Sequence, residues 1–108
     1  MMQGTIELAQ VKLADGKTEE DLAAASAAFQ SGFLNEQDGF LSRHLVRRPD
    51  GTYLDIVHWE SREKADAVFA LAQKSRVAGQ YFSTMSFDPE GAEPGVEHCT
   101  IVGSFRAG

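Results

Sequence analysis

His44, Asp55 and Trp59 bring an imidazole, a carboxylate and a large aromatic ring together in the stretch GFLSRHLVRRPDGTYLDIVHWES, residues 39–61. An imidazole oriented by a carboxylate is a usable general base near neutral pH, able to take the proton of a phenol or enol. Ser42 and Tyr53 could donate hydrogen bonds to the oxyanion so formed, and Phe69 could add an apolar wall beside Trp59. Such an electron-rich anion can react with dioxygen or isomerise without a cofactor when its pocket is poor in water. The same residue types also build structural hydrogen-bond networks, and a Trp equally packs as core against a helix.

These groups cooperate only if they share a face, and the turn between them decides that. Residues 40–48 and 53–60 read as two strands rich in β-branched and aromatic residues, separated by Pro49-Asp50-Gly51-Thr52. Taking Asp50-Gly51 as a two-residue type I′ turn sets Arg48 opposite Tyr53, Val46 opposite Asp55, His44 opposite Val57 and Ser42 opposite Trp59. One face then carries Ser42, His44, Tyr53, Asp55 and Trp59, with Asp55 expected to hold the His44 ring. The other carries Leu41, Arg43, Leu45, Arg47, Leu54, Ile56 and His58, because strand side chains alternate. Both faces hold apolar bulk, so one is expected to meet helices and the other a second subunit.

The flanking elements supply the scaffold. Residues 5–13 alternate as a first strand. Thr18 before Glu19, Glu20 and Asp21 marks the start of a helix over residues 19–35, with Leu22, Ser26, Phe29 and Phe33 on one stripe. Ser61 opens a second helix to residue 74, with Ala65, Val68, Phe69 and Ala72 facing inward and Phe69 as its anchor. Val77, Tyr81 and Met85 continue at four-residue spacing, which predicts a shorter helix broken from the second near residues 76–79. Residues 88–95 read as a loop and 96–105 as a closing strand, with Cys99 packed in it. This βαββαβ order is α+β and ferredoxin-like: a four-stranded, mostly antiparallel sheet with its helices on one face. The uncovered apolar face predicts a homodimer.

The segment GFLSRHLVRRPDGTYLDIVHWES followed by REKADAVFALAQ resembles the antibiotic-biosynthesis-monooxygenase type of dimeric α+β barrel, over residues 4–81. The resemblance implies one barrel domain over residues 1–108. It implies either a small cofactor-free monooxygenase or proton-transfer enzyme acting on an aromatic or enolic compound, or a non-catalytic homodimer of the same fold that binds a small ligand or assists a stress response. In the oxygenase branch it places Trp59 in the substrate cavity. The haem-degrading branch pairs this Trp with an Asn on the first strand and a His on the second helix; residues 5–13 hold no Asn and residues 62–81 no His. No cofactor is therefore expected.

Composition narrows the partners. A net charge of −6 disfavours a phosphate backbone, which is bound through clustered Lys and Arg. No run approaches the length of a membrane span and no leader pattern precedes residue 5, which reads as a cytoplasmic protein. One Cys and three His without a carboxylate cluster at ligand spacing do not make a metal site.

Overall fold

A computed structural model describes residues 4–86 and 95–108. Its elements are β1 (Thr5–Val11), α1 (Glu19–Gly32), a single 3-10 turn (Leu34–Glu36), β2 (Phe40–Arg47), β3 (Tyr53–Trp59), α2 (Arg62–Ala72), α3 (Arg76–Phe82) and β4 (Val96–Thr100). The sheet order is β2-β3-β1-β4 and every pairing is antiparallel. This is the expected α+β, ferredoxin-like arrangement, and the expected shorter helix after the second is present as α3. Residues 88–94 of the expected loop lie outside the described residues, and β4 stops at Thr100, five residues short of the expected end.

Side-chain caps set the helix starts. Thr18 Oγ1 accepts from the Asp21 amide at 3.1 Å while Asp21 Oδ2 accepts from the Thr18 amide at 2.9 Å, a reciprocal box that satisfies two orphan donors of α1. Ser61 caps α2, and Ser75 caps α3 by accepting from Ala78. The Ser75 cap places the helix break at residues 73–75, ahead of the expected 76–79. Leu22 and Phe29 of α1, Ala65, Val68 and Ala72 of α2, and Ala78 and Tyr81 of α3 then bury against Val11, Tyr53, Val57 and Trp59 of the sheet. Fully enclosing Leu22, 1% exposed, contributes roughly 1.5–3 kcal/mol. Phe69 is not the anchor of α2: it is 63% exposed, and Val68 takes the buried position.

The hairpin corrects the expected register. Arg48 accepts from the Gly51 amide at 2.9 Å and donates its own amide to the Thr52 carbonyl at 2.7 Å, which closes a three-residue loop over Pro49, Asp50 and Gly51. Only Gly51, at φ +88°, has the left-handed backbone there; among the described residues no non-glycine has positive φ. A type I′ turn would need positive φ at Asp50 as well. Pro49 instead suits the first corner of a type I turn, Asp50 Oδ1 accepts from the Thr52 amide at 2.9 Å, and Gly51 supplies the bulge. Tyr53 therefore faces Arg47, Asp55 faces Leu45, Ile56 faces His44 and His58 faces Ser42. A one-residue slip exchanges the faces of a strand. Arg43, Leu45 and Arg47 lie under the helices with Tyr53, Asp55, Val57 and Trp59, whereas Ser42, His44 and Val46 lie on the bare face with Leu54, Ile56 and His58.

The strand β2 flip builds a polar clasp between sheet and helices. Asp55 is 5% exposed; its Oδ1 accepts from Arg43 Nε at 3.1 Å and its Oδ2 from the Tyr81 hydroxyl at 2.8 Å. Arg43 also donates to Gln30 Oε1 at 3.0 Å and to the Ser26 hydroxyl, and its guanidinium lies 5.4 Å from the ring centroids of both Phe29 and Tyr81. Burial, reinforced by the negative charge of Asp55, pushes the Tyr81 phenol well above its ordinary pKa, so it stays a donor throughout the working range.

Two stability measurements check this account. Gly51→Ala forces a Cβ into left-handed backbone and should cost about 1–2 kcal/mol in urea unfolding. Asp55→Ala strands the Arg43 charge and should cost about 3–5 kcal/mol, whereas Tyr81→Phe, which removes one bond to a charged group, should cost about 1.5–3 kcal/mol.

Candidate functional site

The helix-covered face holds a second polar cluster, nearer the β4 edge. Glu7 sits in the middle of β1, opposite Val57 on one side and His98 of β4 on the other. Its Oε1 accepts from the Trp59 indole nitrogen at 3.1 Å and lies 3.3 Å from His98 Nε2. Antiparallel pairing puts Glu7 and His98 side by side, and the next row of β3 brings the Trp59 ring across them. Phe40 meets that ring edge-on at 5.6 Å and closes its other side.

Glu7 differs from Asp55 in what it has left over. Both oxygens of Asp55 are taken by the clasp. The two contacts of Glu7 fall on Oε1 alone, and 22% of its side chain remains open, as does 15% of His98. Burial raises the Glu7 carboxyl above the ordinary glutamate range; the nearby His98 and the Trp59 bond pull the other way without cancelling it. A carboxylate made more basic by burial, with an accessible second oxygen, is suited to accept a proton.

The residues picked out by sequence divide between two faces. Asp55, Trp59 and Tyr53 share the helix-covered face, but His44 and Ser42 do not join them. His44, opposite Ile56, is exposed on the bare face. The expected His44–Asp55 hydrogen bond is therefore absent, and Arg43 occupies the place at Asp55 proposed for the imidazole. The Tyr53 hydroxyl donates to Glu19 Oε1 at 3.0 Å at the start of α1, and Phe69 points to solvent from α2. His58, expected near Arg43 or a partner subunit, lies on the bare face, opposite to Arg43, with its ring against Gly4. Cys99, expected to be packed, is exposed. Glu7 and His98 were not among the sequence candidates; the available signal was a carboxylate set between Ile6 and Leu8 in an apolar strand.

Two grooves run side by side between α1 and β2. One, of about 360 Å³, is lined by Ala23, Ser26, Ala27, Gln30, Arg43 and Leu45. The other, of about 260 Å³, shares Ala23 and Leu45 and ends at Glu19 and Tyr53. Among the described residues no group of three His, Cys, Asp or Glu side chains is placed to hold a metal ion, and no helix is long and apolar enough to cross a membrane.

No family model matches the chain, and no curated protein matches it. Solved structures do. A monooxygenase from the gene ActVA-Orf6 of Streptomyces coelicolor, in complex with nanaomycin D, superposes with a TM-score of 0.70 at 18% identity, covering 97% of this chain and 93% of that one. SnoaB, a cofactor-independent oxygenase from Streptomyces nogalater, gives 0.63 at 15% identity over 95% and 96% of the two chains. A candidate antibiotic biosynthesis monooxygenase from Bordetella bronchiseptica gives 0.64 at 26% identity over 93% and 99%. Together with the βαββαβ order and the antiparallel β2-β3-β1-β4 sheet, these likenesses show that the chain folds as an antibiotic-biosynthesis-monooxygenase-like domain.

Proposed function

We propose that the protein is a homodimeric, cofactor-free enzyme that removes a proton from a small phenolic or enolic compound, the anion then reacting with dioxygen or rearranging. The observation that carries this reading is Glu7: a partly buried carboxylate, held through one oxygen by Trp59 and His98, with its other oxygen accessible. Glu7 is the base. Trp59 fixes its orientation, and His98 is placed to relay the proton outward along the β4 edge. ActVA-Orf6 and SnoaB, whose fold this chain shares, are described as a monooxygenase and a cofactor-independent oxygenase, which supports the reaction class.

A second reading, a non-catalytic dimer that binds a small ligand, is favoured by one observation. Trp59 is only 4% exposed, with Phe40 and Glu7 packed on it, which leaves little of the ring for a substrate.

Oxygen uptake with hydroquinones and enolisable ketones separates the two readings. The enzyme should accelerate uptake, and Glu7→Gln should reduce the rate by about 10²–10⁴-fold, with Glu7→Asp recovering part of it. The rate should rise with pH along a limb displaced above the ordinary glutamate value of about 4.3, since only the ionised carboxylate accepts a proton. Stability has the opposite sign: a carboxyl whose pKa is raised by folding loses stabilisation as pH rises through that window. Glu7→Gln should therefore be at least as stable as the parent at neutral pH while losing activity. Neither oxygen uptake nor solvent proton exchange into any such compound would leave the ligand-binding reading.

The homodimer follows from the bare sheet face, where Ile6, Leu8, Leu54 and Ile56 form an apolar centre bordered by Ser42, His44, His58 and Cys99. Light scattering should give twice the 11.8 kDa chain mass at micromolar concentration. Ile56→Asp, which sets a charge in that centre, should yield a monomer.

A further inference from the structure

Strand β2 enters the sheet through a bulge. Its pairing with β3 runs regularly from Arg47–Tyr53 to Arg43–Val57 and Ser42–His58, then steps to Phe40–Trp59 and leaves Leu41 as an extra residue. Unbroken alternation would set Leu41 opposite Trp59 and turn Phe40 to the bare face. The bulge exchanges the two. Leu41 is 47% exposed, whereas Phe40 is half-buried against the core with its ring edge-on to Trp59. A bulge gives up regular pairing, and such features gather where a strand must re-aim a side chain beside a site.

The backbone around Phe40 is held by groups other than its ring. The Gly39 carbonyl accepts from the Glu60 amide at 2.8 Å, which carries the shifted pairing one residue further. Gly39 has φ +93°, and a Cβ there would lie 2.5 Å from Lys64 Cδ, so the first turn of α2 presses on the strand entry. Lys64 Nζ in turn donates to Glu60 Oε1 at 2.9 Å and to Asp38 Oδ1 at 3.2 Å. The Phe40 side chain can therefore be changed without unseating the strand.

What the exchange brings is an aromatic edge against the ring whose N–H holds Glu7, since Trp59 Nε1 donates to Glu7 Oε1 at 3.1 Å. We infer that Phe40 is a positioning residue for Glu7, acting through Trp59: its edge fixes the tilt of the indole, the indole N–H holds Oε1, and the second carboxylate oxygen is left to meet a substrate. Edge-to-face contact between rings is directional. A leucine in that place, which the unbroken strand would supply, fills the space without fixing the tilt.

The kinetic consequence rests on Glu7 being the base proposed above, so the test reads the hydrogen bond and the reaction separately. Trp59 is the only tryptophan, which gives one indole N–H resonance to follow. In the parent protein that proton should move with pH as Glu7 ionises, and Glu7→Gln defines the part of the movement that belongs to the carboxyl. Phe40→Leu should at least halve that part and speed exchange of the indole proton with water about tenfold, the size of a lost edge-to-face contact. Phe40→Tyr, which keeps the ring edge, should restore both. In oxygen uptake, Phe40→Leu should lower kcat about tenfold with KM unchanged within about twofold, and Phe40→Tyr should recover it. An indole signal unchanged in Phe40→Leu, or one that Phe40→Tyr fails to restore, would overturn the positioning role whatever the activity. The expected indole changes in a protein whose parent form is inactive would support the positioning of Glu7 and overturn the enzyme reading alone.

Discussion

A carboxylate enclosed beneath three helices needs partners, and meeting the needs of Asp55 organises much of this fold. Leaving such a charge unpaired costs several kcal/mol, of the order of a small domain's whole stability. Its partners come from two directions: Arg43 from the neighbouring strand and Tyr81 from the last helix. Arg43 can reach it only if β2 turns that side chain toward the helices, so the ion pair and the hairpin register are one requirement. Tyr81 ties α3 down in the same act, and the bonds from Arg43 to Ser26 and Gln30 tie α1. His44 is sent to the bare face as a direct consequence.

The two polar clusters under the helices divide structure from chemistry. Around Asp55 every donor and acceptor is engaged, and the described residues contain no buried side-chain polar atom without a partner. A network in which both Asp55 oxygens are engaged and buried rigidifies its surroundings and keeps that carboxylate from a substrate. Glu7 stands toward the opposite sheet edge, half-buried rather than sealed, where the indole of Trp59 acts as a splint. The fixed clasp between β2, β3 and the helices holds β3, and with it Trp59, against which Glu7 is positioned.

Much of the architecture was legible from one sequence because it rests on local signals. The Thr18 cap, the Ser61 cap, the Leu22–Ser26–Phe29 stripe and the alternation of β3 all act within a few residues and appear as read. What escaped depends on which local signal wins. Asp-Gly is the stronger dipeptide for a two-residue turn, but Pro49 sets a type I corner one step earlier and moves the register by a residue. The candidate acid–base pair inherited that error whole, since His44 and Asp55 sit on different strands. Phe69 is one position out of phase: Val68 and Ala72 define the buried stripe, and the larger ring was credited with the burial. Glu7 and His98 meet only through the pairing of β1 with β4, a contact across most of the chain that no short window can reveal.

The three-residue loop at Pro49-Asp50-Gly51 also bears on how such a protein can change by descent. Adding a single codon there, with the loop re-forming over three residues, would shift β2 by one position and set His44 opposite Val57, where Arg43 now lies, without altering any side chain of the strand. An insertion or deletion at a surface turn is normally among the mildest of genetic events. Here it would exchange the chemical identities of an interior and an interface at once, so the length of this turn is inherited as tightly as a buried residue.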